Sequence, residues 1–286
     1  MLPTPSTSHV SFSTIYEPSE DSYLFLDTLS STTESTWLKS HFDTTTTPPS
    51  PLILEVGTGS GVVLAFLTAN SHHILGRTDV LALGTDVNRN ACVATRQTVV
   101  GAIDEQQQTP TPSSTTTSTT SPLTSEEKEP KGTTRSIITS TLLSDLASPL
   151  RPGTIDILLF NPPYVPTPDL PEIPTTASNH DISGLSSSER FARESYLLSL
   201  TYAGGKDGME TTDRLLRDIP RVLAERGVAY VLLCAQNRPR EVVEGISRWE
   251  CAEEGGRWCA EVVGSSGVQA GWEKLVIVRV WREYSV

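Results

Sequence analysis

Leu52-Ile53-Leu54-Glu55-Val56-Gly57-Thr58-Gly59-Ser60-Gly61-Val62-Val63-Leu64-Ala65-Phe66-Leu67 is the stretch that decides the fold. Its first five residues read as a short buried strand, its glycines as a loop, and its apolar tail as a helix. Strand, glycine loop and helix open an α/β unit, and the glycines let the backbone pass close to a ligand at the carboxyl end of the strand. The spacing is G-x-G-x-G. A dinucleotide fingerprint needs G-x-G-x-x-G, and Val62 stands where its third glycine would be, so NAD and FAD are disfavoured. No Lys-Ser/Thr pair closes the loop, which disfavours a Walker-type phosphate site.

A second strand, Val80-Leu81-Ala82-Leu83-Gly84-Thr85, ends in Asp86. A carboxylate there accepts hydrogen bonds from both hydroxyls of a ribose, which points to a nucleoside without a pyrophosphate. Asp86 taken alone reads equally as a cap for a helix from Asn88 to Val100. A third strand, Arg135 to Ser140, leads to Leu142-Leu143-Ser144-Asp145-Leu146. Asp145 is placed to accept from an exocyclic adenine amine while Leu146 packs on the ring; the plain alternative is a turn.

The apolar run Asp156-Ile157-Leu158-Leu159-Phe160 delivers Asn161-Pro162-Pro163-Tyr164. Two prolines hold φ near −65° and bring no N–H, so the Asn161 and Pro162 carbonyls face outward without a competing local donor. The Asn161 side-chain oxygen and a neighbouring carbonyl then bind both hydrogens of a planar –NH2 group, with the Tyr164 ring over its flat face. Such a nitrogen is a poor nucleophile, and a fixed fork of acceptors favours localisation of its lone pair and in-line attack on carbon. Read alone, the same residues are a strand followed by a proline turn.

In order, these stretches resemble the class I S-adenosylmethionine-dependent methyltransferases. Joined by Tyr16-Glu17-Pro18-Ser19-Glu20-Asp21-Ser22 with Leu24, Leu26 and Leu29, and by Ala203-Gly204-Gly205-Lys206-Asp207-Gly208, they look like the HemK-type release-factor glutamine methyltransferases. Within these they match the short eukaryotic branch without an N-terminal helical domain, from Tyr16 to Arg282 apart from two insertions. The resemblance implies an α/β, Rossmann-like fold with a seven-stranded, mostly parallel sheet whose last strand is antiparallel. It implies methyl transfer from S-adenosylmethionine to the glutamine amide of a Gly-Gly-Gln motif in a class 1 release factor. By motif position Asn161 and Pro162 bind the amide, with Pro163 beside them and Tyr164 packed on it. Ser22, Glu55, Gly57, Gly59, Asp86, Asp145, Leu146 and Asn161 line the cofactor. Glu20 and Asp21 read equally as dipole-compensating residues of a helix start. A heterodimer with a small zinc-binding activator protein is also implied, on the apolar sheet edge at Ser136-Ile137-Ile138-Thr139.

The 286 residues suit one α/β domain over 1–286. Thr109 to Ser125 holds 13 Ser or Thr in 17 positions, so a disordered insertion is expected over 101–134. A second insertion, 171–188, follows the diproline corner and is expected to form part of a lid. Helices are expected over Phe191–Tyr202, Thr211–Leu223 and Pro239–Trp249, with Gly227 ending the second, and strands at Val228–Leu233, Cys259–Val263 and Lys274–Trp281. Trp272 and Trp281 read as packing residues, and all five histidines as surface or loop residues. Cys92, Cys234, Cys251 and Cys259 form no C-x-x-C pair, which disfavours zinc and disulfides and fits the cytosol, with the nucleus left open. No apolar run approaches the roughly 18 residues of a membrane span, and no signal peptide is read at the start. A formal charge of −12 argues against a large phosphate-binding face. Two alternatives remain: an N-P-P-Y enzyme acting on exocyclic base amines or other side chains such as lysine, and a silent cofactor-binding scaffold.

Overall fold

The computed structural model describes residues 2–43, 49–107, 135–173, 186–251, 255–267 and 274–284. Five strands run parallel: β1 (Leu52–Val56), β2 (Leu81–Asp86), β3 (Ile137–Leu143), β4 (Ile155–Phe160) and β5 (Leu223–Cys234). The last strand, β7 (Leu275–Tyr284), inserts antiparallel between β5 and β6 (Gly256–Ser265), so the sheet reads β3-β2-β1-β4-β5-β7-β6. This is the expected seven-stranded sheet with a reversed final strand. The chain winds outward from β1 to β3 and then returns to β4 beside β1. Strand order therefore reverses between β1 and β4, where sheets of this kind bind ligands at their carboxyl ends.

Both faces of the sheet are covered, which is why its strands are almost continuously apolar. The period of two divides each strand between two cores. Ile53, Ile157, Leu159 and Tyr230 pack with α1 (Glu20–Ser30), α2 (Thr32–His41), α3 (Val62–Ala69), α4 (Ser71–Leu75) and α5 (Arg89–Gln106). Leu54, Leu158, Phe160 and Val231 face α7 (Glu210–Val222) and α8 (Pro239–Ile246). Each such side chain stabilises the fold by about 1.5–3 kcal/mol. Between Tyr202 and α7 lies only a glycine-rich turn, and α6 (Ser187–Tyr202) starts at a capping box of Ser186 and Glu189.

A buried charge cluster ties α2 to the sheet. Glu34 accepts from Tyr230 Oη and from Nη1 of Arg279 at 2.9 Å. The Arg279 guanidinium lies between Trp37 and Trp281, 4.0 and 4.6 Å from their ring centroids. Trp281 is thus a packing residue, as expected.

Several boundaries differ from those read from sequence. β3 starts at Ile137, and α8 stops at Ile246. α7 ends at Val222 and β5 starts at the next residue, so Gly227 lies inside a strand and does not end the helix. α5 continues to Gln106 because Ala102 and Ile103 still reach the core, so residues 101–106 are helix and not insertion. The remainder of that segment, 108–134, lies outside the described residues, as do 174–185 of the expected lid, His180 and Trp272. His41 is not a surface histidine. It is half-buried, its ring stacks on Trp37 at 4.4 Å, its Nε2 lies 2.7 Å from the Arg226 carbonyl, and burial lowers its pKa.

Candidate active site

Val56 and Phe160 are the last paired residues of β1 and β4, so Gly57 and Asn161 leave the sheet side by side. The glycine loop and the diproline corner thus form two walls of one crevice. Gly57, Gly59 and Gly61 all have positive φ. At Gly61 glycine is required, because a Cβ would lie 2.6 Å from the Thr95 Cα on α5. That close approach lets Gly61 serve as the left-handed N-cap of α3.

Two buried carboxylates hold the loop. Glu55 accepts from the Leu64 N–H at 3.2 Å, satisfying one orphan donor in the first turn of α3. Burial raises its pKa well above the carboxylate range, and the nearby Asp86 adds to the rise. Asp86 accepts from Gly59 N–H at 3.0 Å through Oδ2 and from Asn88 N–H at 2.8 Å through Oδ1. Burial lifts its pKa to about 6 against these hydrogen bonds. Asp86 does not cap α5; the Asn88 side chain does, accepting from Asn90 N–H at 3.0 Å. The Val87 N–H also donates to the Asp86 carboxylate, which leaves about one of its roughly four lone-pair sites for a ligand. The Cys92 thiol close by is pushed up to about 12 by burial and by Asp86, so it stays protonated and unreactive.

One cavity, of about 200 Å³, brings together Ser22, Glu55, Gly57, Gly59, Asp86, Asp145, Leu146, Asn161, Pro162 and Pro163. Segments scattered along the chain from Ser22 to Pro163 thus line one cavity. Glu20 and Asp21 divide their two readings: Glu20 is exposed in the first turn of α1, whereas Asp21 is buried, lines the cavity and accepts from the Ser22 N–H at 2.6 Å. Asp145 sits in a turn, as its plain reading has it, yet faces the same cavity and pairs with Arg214 of α7.

At the other end of the cavity the Asn161 Oδ1 is buried and makes no hydrogen bond. An unpartnered buried acceptor costs roughly 1–3 kcal/mol, and such atoms mark sites kept for a ligand. The corner behind it is braced by the glycine-rich turn. Gly204 N–H donates to the Val165 carbonyl at 2.8 Å, Val165 N–H to the Tyr202 carbonyl at 2.9 Å, and Val165 bridges Ala203. Asn237 Nδ2 reaches the carbonyls of Tyr164, Asp207 and Gly208 at 3.0–3.4 Å.

Tyr164 is not among the residues that line the cavity; its partly buried side chain packs against the core. Leu170, Pro171, Ile173, Leu197, Leu200 and Thr201 also line the cavity. These residues, with Arg214, carry no motif that marks them as cavity wall. Only α6, expected as a helix, offers a signal, through the spacing of Leu197, Leu200 and Thr201.

A doubly wound sheet with this strand order, an acidic residue ending β2 and an acceptor corner ending β4 define a class I methyltransferase. Within that class the chain is similar to proteins named as HemK-type and release-factor methyltransferases. It is 27% identical over 286 residues to the eRF1 methyltransferase catalytic subunit mtq2 of Schizosaccharomyces pombe, covering 99% of this chain and 96% of that one. It is 27% identical over 248 residues to the human methyltransferase HEMK2, covering 84% and 83%. A Methanocaldococcus jannaschii protein named as a putative protein N5-glutamine methyltransferase is 26% identical over 130 residues, 46% of this chain and 51% of that one. No protein-family profile matches the chain.

Proposed function

We propose that this enzyme transfers a methyl group from S-adenosylmethionine to the side-chain amide of the glutamine in the Gly-Gly-Gln motif of a class 1 release factor. The observation that supports this most is the orphaned Asn161 Oδ1, at the wall of a cavity whose other end holds Asp86 and the glycine loop. When bound, the cofactor supplies an electrophilic methyl carbon on a sulfonium sulfur. The residues fit it: the Asp86 carboxylate lines the cavity and keeps accepting capacity for the ribose, and the glycine loop leaves room for the amino-acid end beside Asp21 and Ser22. Asn161 Oδ1 accepts one amide hydrogen, and the Pro162 carbonyl takes the other. The fork orients the nitrogen and restrains the lone pair toward the methyl carbon. No general base is called for, since the proton leaves after transfer.

The acceptor is a neutral amide and not a lysine. Among the described residues, the cavity lining contributed after β4 contains no Asp or Glu, so an ammonium group would enter without a countercharge. A net charge of −12 likewise opposes a nucleic-acid substrate. The proposal includes a small zinc-binding activator on the edge strand β3, whose Ile137 and Leu143 are 52% and 42% exposed. An apolar edge strand invites a partner strand. The proposal places the enzyme in the cytosol, since its four cysteines form no C-x-x-C pair.

The test is transfer from methyl-labelled cofactor to a release factor and to its Gly-Gly-Asn variant, with a lysine-rich protein and DNA in parallel, with and without the activator. Label on the Gly-Gly-Gln protein alone is expected. Label on lysine or DNA with the release factor blank overturns the acceptor assignment, and equal solubility and turnover without the activator removes that partner.

Asp86 makes the binding of the nucleoside pH-dependent. Its raised pKa means the empty fold favours the protonated form: the stabilising contribution is full below the unfolded value of 3.8 and is lost as pH rises through about 6. Ribose hydroxyls donate to the ionised form. Affinity for S-adenosylhomocysteine is therefore expected to hold at pH 7–8 and to fall up to about tenfold per unit below pH 6. Calorimetric titration across that range checks it, with Asp86→Asn expected to bind weakly and without the inflection. A flat wild-type profile would show that Asp86 does not take the ribose.

A further inference from the structure

We propose that Arg214 is a positioning residue that gives the purine end of the cavity its preference for a 6-amino base. The inference rests on the reading of the cavity as a nucleoside site. Arg214 comes from α7 and Asp145 from the loop after β3, so the two arise on separate walls. Arg214 Nη2 donates to Asp145 Oδ2, and both side chains line the cavity. The side chains are 39% and 32% exposed. A pair so open to water contributes little to folding, so stability alone is a poor reason for it.

Its geometric effect is larger. With Oδ2 held by the guanidinium, the rotation of the Asp145 carboxylate is fixed and Oδ1 is left as the acceptor. The loop that carries it is stiff as well. Leu146 is held in the left-handed region with φ 51°, and its carbonyl accepts from Ser144 Oγ at 3.0 Å. A side-chain-bearing residue there is strained, and such strain gathers where a ligand must be met by a defined surface. A fixed carboxylate oxygen accepts from an amine at the purine 6-position and repels a 6-oxo group. Arg214 thus works through Asp145: freed from the guanidinium, the carboxylate turns and hydrates, and the discrimination weakens.

The experiment compares dissociation constants for S-adenosylhomocysteine and S-inosylhomocysteine in wild type, Arg214→Leu and Arg214→Lys, with melting temperatures alongside. Wild type is expected to prefer the adenosyl ligand. In Arg214→Leu the ratio should fall roughly tenfold, the size of a lost charge-assisted hydrogen bond, with the melting temperature almost unmoved. Arg214→Lys, with one donor in place of a fork, should fall between. Arg214→Gln, neutral and of similar length, gives the same comparison should Leu not fold. A ratio unchanged in the neutral variants overturns the role of Arg214 while leaving the cavity reading intact. Failure of wild type to bind either ligand defeats the cavity reading itself.

Discussion

Asn161→Ala is expected to lower kcat for methyl transfer by roughly 100- to 1000-fold, the loss typical of one preorganised polar group that faces a reacting centre. Affinity for S-adenosylhomocysteine should change by less than about threefold, because the proposal assigns its ribose and purine ends to Asp86 and Asp145. The folding stability should not fall with the activity. Asn161 Oδ1 is buried without a hydrogen bond, so the folded, empty enzyme carries its desolvation cost, and Ala removes it. A melting temperature equal to or above that of wild type, with turnover lost, separates a binding group from a structural one. Measured turnover within tenfold of wild type would remove Asn161 from the acceptor fork.

Gly208→Ala should lose both stability and activity. Gly208 has φ +69°, and a Cβ there would lie 2.0 Å from the Tyr164 carbonyl oxygen and 2.8 Å from Asn237 Nδ2. Left-handed strain and forced packing together cost about 2–5 kcal/mol. At roughly 2–4 °C per kcal/mol for a domain of this size, the melting temperature should drop by about 4–20 °C. Relief comes only by moving the Tyr164 carbonyl, which shifts the corner that carries Asn161, so kcat falls too. Gly101→Ala is the contrast: it lies within α5, a Cβ there would meet nothing within 4 Å, and the variant should gain about 0.5–1 kcal/mol. Calorimetry on the two variants checks the pair. Equal melting temperatures would show that the glycine-rich turn does not brace the corner.

Asp86 and Tyr164 show how far the site is legible in the sequence. The carboxylate ending β2 is legible because the glycine loop upstream and its own strand place it at the crevice. Its competing role as a helix cap falls to Asn88, two residues on, a choice made by backbone angles that no pattern reveals. Motif position puts Tyr164 over the acceptor, and the chain turns it into the core. Asp21 keeps two readings open in sequence because burial alone separates a helix-start acid from a cavity wall.

What the amino-acid order determined by itself is whatever depends on short-range periodicity and backbone restriction: the buried strands, the glycine loop, the diproline corner and the acid after β2. These rest on local sterics and on the two-residue alternation, which any stretch of chain declares for itself. Only the tertiary structure decided which distant side chains meet. Arg214 beside Asp145 and Asn237 behind Tyr164 are pairs 69 and 73 residues apart in sequence, and α6 reaches the cavity from a segment of its own. Such contacts are set by how two packed layers close on the sheet, and the energy that selects them is summed over the whole core.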